Sequence, residues 1–187
     1  MGDYNEAVTN LGFRVMRLLA LSLDLPANSF DPIFTHPMTF LRPLRYAPVK
    51  SSPAEGIFGA GAHSDYGLLT FLATDDVPGL EIYLNGKWVE APPKRGAFVV
   101  NLGDMFQRWS NGKFRSTVHR VINKLGKERF SIPFFFEPNF HAKLDPLVKE
   151  SGPYKSADPE EDTIGTAGEY ILYKYRSTHA GYLEKKS

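Results

Sequence analysis

Apolar residues near the start of the chain repeat at intervals of three and four. They are Val8, Leu11, Val15, Leu18 and Leu19, with Ser22 continuing the same spacing. This spacing predicts an amphipathic helix over residues 4–23, packed as a brace on the outside of a sheet. Asp3 and Glu6 have the form of a capping box, and Pro26 lies just past the predicted end.

Beyond residue 37 the pattern changes to short apolar runs separated by turn residues. These runs predict strands near residues 39–46, 57–63, 68–73, 80–83, 87–90, 97–101, 117–122 and 129–136. Asn85-Gly86 is a two-residue hairpin signal between two of them. Short strands at regular spacing indicate a mainly β sandwich or barrel, so the core is expected over about 38–140.

The rest of the chain is expected to form one polar loop and one helix. Residues 145–165 are rich in Pro and acidic side chains, which predicts a loop. Thr166 and Glu169 then form a second capping-box pattern ahead of a helix near 167–178. Asn101 to Asp104 has turn composition. A length of 187 residues fits a single domain over 1–187.

Composition excludes several classes of protein. A net charge of +1 gives no electrostatic footprint for nucleic acid or an anionic membrane. The absence of cysteine excludes disulfides and thiolate metal sites and is consistent with a reducing compartment. No apolar run is long enough for a membrane span, so a soluble cytoplasmic protein is expected, monomeric or weakly homo-oligomeric.

The strongest chemical signal is His63-Ser64-Asp65 followed far downstream by His119. In a strand, residues two apart share a face, so His63 and Asp65 would point the same way. Two imidazoles and one carboxylate on one face of an octahedral metal are typical of non-haem Fe(II) oxygenases. The alternative is an ordinary surface turn, because residues 62–67 also have turn composition.

A second signal follows the second histidine. Arg129 and Ser131 share one face of a predicted strand, and Arg binds carboxylates through its planar fork. A metal triad followed by this pair suggests a metal site with an acid anchor. For Arg129 alone, a surface ion pair with Glu128 or Glu137 is the alternative. His36, His141 and His179 lack ligand partners at useful spacing and are expected to be structural or exposed.

Several stretches together carry a family resemblance. They are Arg45-Tyr46-Ala47-Pro48, His63-Ser64-Asp65-Tyr66-Gly67-Leu68-Leu69-Thr70, Asp76-Val77-Pro78-Gly79-Leu80-Glu81-Ile82, Asn101-Leu102-Gly103-Asp104, Ser116-Thr117-Val118-His119-Arg120-Val121 and Arg129-Phe130-Ser131-Ile132-Pro133-Phe134-Phe135. In order and spacing, the chain resembles the Fe(II)/2-oxoglutarate-dependent dioxygenases, in the branch of isopenicillin N synthase and many plant small-molecule oxygenases. The resemblance implies a double-stranded β-helix (jelly-roll) core with flanking N-terminal and C-terminal helices. Members of this branch usually carry a further segment ahead of the matching region.

The resemblance also implies the roles of particular residues. His63, Asp65 and His119 would bind Fe(II), while Arg129 and Ser131 would hold the distal carboxylate of 2-oxoglutarate. Tyr46 would add a phenolic donor, although Leu44 replaces an Asn that many plant relatives have. The aromatic residues that could line a substrate pocket are Phe58, Phe106, Trp109, Phe135 and Phe136. The implied reaction hydroxylates a small organic metabolite with O2 and releases succinate and CO2, with ascorbate as an aid in keeping iron reduced.

Three alternatives stay open at this point. Two His and one carboxylate also describe a catalytic zinc site, although no H-E-x-x-H helix is present. A catalytically silent or truncated jelly-roll that binds a ligand or partner is the second. The third is an oxidase of the same family that dispenses with 2-oxoglutarate, as isopenicillin N synthase does.

Overall fold

The computed structural model of the protein describes residues 1–147 and 154–178. Nine strands occur in this part of the chain: β1 (Met38–Leu41), β2 (Leu44–Tyr46), β3 (Ala60–His63), β4 (Leu69–Thr74), β5 (Leu80–Leu84), β6 (Lys87–Glu90), β7 (Val99–Leu102), β8 (His119–Val121) and β9 (Arg129–Glu137). The helices are α1 (Gly2–Ser22), α2 (Asp104–Trp109), α3 (Pro159–Asp162) and α4 (Ala167–Thr178), with short 3-10 turns at Asp31–Ile33 and Pro53–Glu55.

The strands form two antiparallel sheets, as predicted for a mainly β jelly-roll. The larger sheet has the order β1-β9-β4-β7, with β2 also paired to β9, and the smaller sheet has the order β3-β8-β5-β6. The single strand predicted over 39–46 is divided at Arg42-Pro43, and both halves pair with β9. Pro43 has no N–H to donate to a ladder, which accounts for the interruption at this place.

Alternate residues of β9 face two different environments. Phe134 and Phe136 are fully buried under the helices. Arg129, Ser131 and Phe135 instead line the cavity between the two sheets. This two-residue period separates the apolar core on one side of the larger sheet from the polar site on the other.

Helix α1 covers the outer face of the larger sheet. Its buried residues are Val8, Gly12, Met16 and Ala20, one on each successive turn. A Cβ at Gly12 would lie 3.0 Å from the ring of Phe136, so glycine permits this close approach. The prediction that Leu18 belongs to the packed apolar face of this helix was wrong, because Leu18 is 64% exposed. The expected capping box was also wrong, because the helix begins at Gly2 and no side chain caps it.

Two short helices lie where loops were expected. The predicted turn at Asn101 to Asp104 instead ends β7 and opens α2, whose apolar side joins the core. Helix α3 lies within the predicted 145–165 loop, of which residues 148–153 are outside the described part. At the start of α4, the Thr166 hydroxyl donates to Glu169 over 2.8 Å, consistent with the predicted capping pair. Among residues 1–147 and 154–178, no helix has the length and apolar character needed to cross a membrane.

Candidate metal and co-substrate site

His63 and His119 are direct neighbours across two strands of the smaller sheet. They occupy paired positions on β3 and β8, and their ring centroids are 4.3 Å apart. Nδ1 of His63 lies 2.8 Å from the carbonyl oxygen of Gly61, and Nδ1 of His119 lies 3.1 Å from that of Thr117. Because a carbonyl only accepts hydrogen bonds, both Nδ1 atoms carry the proton. In the neutral form of each ring, Nε2 then has a free lone pair for a metal.

The carboxylate of Asp65 completes the group from a loop. Strand β3 ends at His63, at the end of the strand predicted over 57–63, so strand alternation does not set the direction of Asp65. The Asp65 carbonyl accepts a hydrogen bond from the Asp104 N–H over 2.8 Å, which fixes the loop at the start of α2. Oδ1 of Asp65 lies 3.7 Å from Nε2 of His119, and both side chains are largely buried.

Asn101 orients the Asp65 carboxylate. Its Nδ2 donates to Oδ2 of Asp65 over 2.7 Å, so Oδ1 is the oxygen that faces the histidines. Sequence reasoning missed this role because the stretch after Val100 has turn composition. A polar residue on the cavity side of β7 was the available signal.

The three side chains form a suitable metal-binding group. One donor atom from each of His63, Asp65 and His119 lies within 4.8 Å of the other two. Two neutral imidazoles and a carboxylate suit Fe(II) and leave positions open for other ligands. These residues fit the ion that the family resemblance implies.

A cavity of about 310 Å³ extends from the triad between the sheets and reaches the predicted acid anchor. At the far side of this cavity, Arg129 is 1% exposed, and its Nε donates to the Val77 carbonyl over 3.2 Å. The guanidinium carbon lies 4.9 Å from the centroid of the Tyr46 ring. The Tyr46 hydroxyl is within 3.2 Å of the Ser131 hydroxyl. All three predicted residues thus line one end of the cavity.

Within the described part of the chain, no carboxylate forms an ion pair with Arg129. Among the described residues, its Nη1 atom is buried without a hydrogen-bond partner. The alternative ion pairs do not form: Glu128 pairs with Arg45, and Glu137 accepts from the Leu68 N–H. A buried charge is normally paired, so this nitrogen is available to an acidic ligand in the cavity. A dicarboxylic acid such as 2-oxoglutarate is a ligand of this kind.

The predicted aromatic pocket residues occupy three different places. Phe135 lines the cavity. Phe58 instead lines a separate crevice behind β2. Phe106 was a mistaken choice, because α2 turns it into the core with Trp109 and Phe136. Leu44, at the position where many plant relatives have Asn, contributes an apolar surface to the cavity.

A second cavity of about 200 Å³ adjoins the outer side of the triad. It shares four lining residues with the first cavity, namely Arg42, His63, Asp65 and Phe135. Glu137 lies at its base, and burial raises the pKa of this carboxyl from 4.5 to about 8, with a smaller contribution from nearby Asp65. The group is therefore largely uncharged at neutral pH.

Polar contacts connect helix α4 to the loop that follows β3 and carries Asp65, which we call the metal loop. The Ser64 hydroxyl donates to Oδ2 of Asp104 over 3.1 Å, and Nζ of Lys174 lies 2.8 Å from the same oxygen. The Tyr66 hydroxyl donates to Thr178 over 2.6 Å. Helix α4 thereby covers the second cavity.

Two further histidines of the described part of the chain, His36 and His141, are separate from this site. Nδ1 of His36 contacts the Thr35 hydroxyl, and the ring of His141 packs against Phe140. His179 lies outside the described residues.

Comparison with known proteins places this geometry in a family. The family model described as "2OG-Fe(II) oxygenase superfamily" matches residues 37–138, more than half of the chain. A 2-oxoglutarate-dependent dioxygenase of Penicillium crustosum is 40% identical over 176 residues, covering 92% of this chain and 50% of the relative. Homoarginine-6-hydroxylase of Glycine max is 40% identical over 154 residues, covering 79% of this chain and 46% of the relative.

A solved structure agrees with these relatives. The crystal structure of a full-length Neurospora crassa protein in complex with alpha-KG and thymine superimposes with a TM-score of 0.82 at 31% identity, over 96% of this chain and 56% of that chain. The chain thus spans about half the length of the relatives it matches. The match disfavours the zinc-hydrolase alternative. The chain belongs to the 2OG-Fe(II) oxygenase superfamily.

Proposed function

We propose that the protein is an Fe(II)- and 2-oxoglutarate-dependent oxygenase that hydroxylates a small organic metabolite. The observation that carries the proposal is the partnerless Nη1 of buried Arg129, which lines the same cavity as the metal-binding triad. A metal centre and an acid anchor in one cavity match the needs of a keto acid that chelates iron at one end. A zinc hydrolase would have no use for the acid anchor at Arg129.

In this proposal His63, Asp65 and His119 hold Fe(II). Arg129, Ser131 and Tyr46 bind the distal carboxylate of 2-oxoglutarate. The chemistry supplied by the bound iron and co-substrate is oxidation of a substrate C–H bond by O2, with conversion of 2-oxoglutarate into succinate and CO2. Ascorbate would keep the iron reduced.

The protein contributes position and a dry environment. The Nδ1 bonds of the two histidines hold each ring with Nε2 toward the metal, and Asn101 selects the Asp65 oxygen. Between the triad and Arg129 the walls are apolar side chains, namely Leu72, Leu80, Ile82, Val99 and Val121. Exclusion of water strengthens the charge interactions in the cavity and protects reactive species from side reactions.

The proposal also covers the cellular location and the oligomeric state of the protein. The low net charge and the absence of cysteine support a cytoplasmic protein that acts on free metabolites rather than on nucleic acid. We infer a monomer or weak homo-oligomer, which size-exclusion chromatography with light scattering would test.

An anaerobic titration tests the central proposal. Fe(II) and then 2-oxoglutarate are added to the protein, and the visible charge-transfer band of the chelate is followed. The band should form in the wild type and in the control His36→Ala, and should be absent in His63→Ala. Admission of O2 should then release succinate above the His63→Ala background.

The alternatives give different results in the same titration. A silent binding protein would release no succinate above background. An oxidase that dispenses with the co-substrate would bind Fe(II) without any spectral response to 2-oxoglutarate. Either result would overturn the proposed function.

A further inference from the structure

Arg42 places a positive charge at the junction of the two cavities. It lies between β1 and β2, and its side chain lines both the cavity that leads to Arg129 and the cavity beneath α4. The residue is exposed, and within residues 1–147 and 154–178 no hydrogen bond or ion pair engages its guanidinium. Neighbouring Arg45, in contrast, donates to Glu128 over 2.7 Å.

The two carboxylates that line the second cavity, and that of Asp104, which accepts a hydrogen bond from the lining residue Ser64, contact other groups. Asp65 belongs to the metal-binding triad and accepts from Asn101. Glu137 is 2% exposed and accepts from the Leu68 N–H. Asp104, behind the metal loop, pairs with Lys174. Among the described residues, none of these carboxylates forms an ion pair with Arg42.

This guanidinium is distinct from the one assigned to 2-oxoglutarate. Arg129 pairs with Tyr46 across the strands, whereas the N–H of Arg42 donates to the carbonyl of Pro133, four residues farther along β9. At about 3.3 Å per strand residue, the two positions are roughly 13 Å apart along the strand. A co-substrate held at Arg129 and at the metal leaves Arg42 free for a second ligand.

The side chains around Arg42 indicate the chemical character of the rest of that ligand. They are aromatic and aliphatic side chains from β1, β9 and α4, namely Phe40, Phe135, Ile171 and Tyr175. His63 and Asp65 form the inner side of the same cavity. A molecule with an apolar body on these walls would therefore lie beside the metal.

We propose that Arg42 binds the carboxylate of the substrate, and that the substrate is a small organic acid whose apolar body occupies the cavity beneath α4. This inference rests on the proposed oxygenase function and specifies the chemical class of its substrate. Arg is suited to this role because its planar fork meets a carboxylate with two hydrogen bonds. The residue is a specificity determinant, separate from the co-substrate anchor.

Pairs of acids and amides of equal shape test the proposal. Phenylacetate, 3-phenylpropionate and octanoate are each compared with the corresponding amide. Binding to the anaerobic Fe(II)·2-oxoglutarate complex is measured by perturbation of its charge-transfer band. The proteins compared are the wild type, Arg42→Gln, and Arg45→Gln as a control that removes one exposed positive charge from the next strand.

We expect the wild type and Arg45→Gln to bind at least one acid about tenfold or more tightly than its amide. Arg42→Gln should lose that preference while its affinity for 2-oxoglutarate stays unchanged. Equal binding of acids and amides by the wild type, no binding of any acid, or a preference that survives in Arg42→Gln would each overturn the proposal. The charge-transfer band forms in all three proteins if the oxygenase function holds, so failure of the two proposals can be told apart.

Discussion

Nδ2 of Asn101 donates a hydrogen bond of 2.7 Å to Oδ2 of Asp65, which leaves Oδ1 directed toward His119. One contact between β7 and the loop after β3 thus determines which carboxylate oxygen faces the metal position. Partners of this kind fix ligand geometry and are commonly worth about 10–100-fold in metal affinity.

Replacement of Asn101 with Ala should therefore weaken metal binding. We expect the Kd for Fe(II) to rise by about 10–100-fold, since the carboxylate would lose its fixed orientation. Anaerobic Fe(II) titration measures the effect, with Val100→Ala as a control because that neighbouring side chain is exposed. Equal Fe(II) affinities in both variants would contradict the orienting role.

Loss of the Arg129 side-chain charge should weaken the binding of 2-oxoglutarate. Arg129→Gln is expected to raise the KM for 2-oxoglutarate by the equivalent of about 2–5 kcal/mol, because the distal carboxylate loses a buried charged partner. Steady-state succinate release as a function of 2-oxoglutarate concentration measures this change. Ser131→Ala, which removes one hydroxyl and no charge, should have a smaller effect. An unchanged KM in Arg129→Gln would remove the assigned role.

Gly103 lies against the loop that carries Asp65. A Cβ at this position would come within 2.2 Å of the Gly67 carbonyl oxygen and 2.9 Å of the Asp65 carbonyl oxygen. Both are backbone atoms, so the clash cannot be relieved by rotation of a side chain. We expect Gly103→Ala to lower the free energy of unfolding by about 1–3 kcal/mol and to weaken Fe(II) binding.

Gly61→Ala is the matched control, because nothing lies within 4 Å of a Cβ at that position. Urea unfolding of the metal-free proteins should show little change for Gly61→Ala. Similar unfolding free energies for both variants would show that the loop adapts to the added methyl group.

Glu137 should make stability depend on pH. Burial raises the pKa of its carboxyl from 4.5 to about 8, so the folded state binds a proton that the unfolded state releases in this range. The free energy of unfolding should therefore fall as pH rises from about 4.5 to about 8, by up to about 1.4 kcal/mol per pH unit.

Glu137→Gln removes this titration and can still accept the Leu68 N–H. Urea unfolding of the metal-free variant should show a flatter pH profile and greater stability than the wild type near pH 8. A wild-type profile that rises over this interval, or one that matches the variant, would argue against a neutral buried acid.

Sequence reasoning succeeded where the chemistry depends on strand period and spacing. Arg129 and Ser131 were expected on one face of a strand, and the structure places both in the cavity. Asn101 and Arg42 were not foreseen because their roles come from contacts across the fold rather than from local pattern. Phe106 was misassigned because its hydrophobic side chain suits the core as well as a substrate pocket, and the short helix α2 that turns it into the core was not foreseen. Helix α2 was missed because a six-residue segment is too short to show helical periodicity.

The alternation along β9 constrains how this protein can change over evolutionary time. Its cavity-facing positions include Arg129, Ser131 and Phe135, and the strand ends at Glu137 beside the metal loop. Deletion or insertion of one codon within the strand would turn every later side chain to the opposite face. Near the start of the strand, one such change would move Ser131 and Phe135 out of the cavity and Phe134 and Phe136 out of the core. Adaptation to new metabolites is consequently confined here to point substitutions, whereas the segments at the rim can also vary in length.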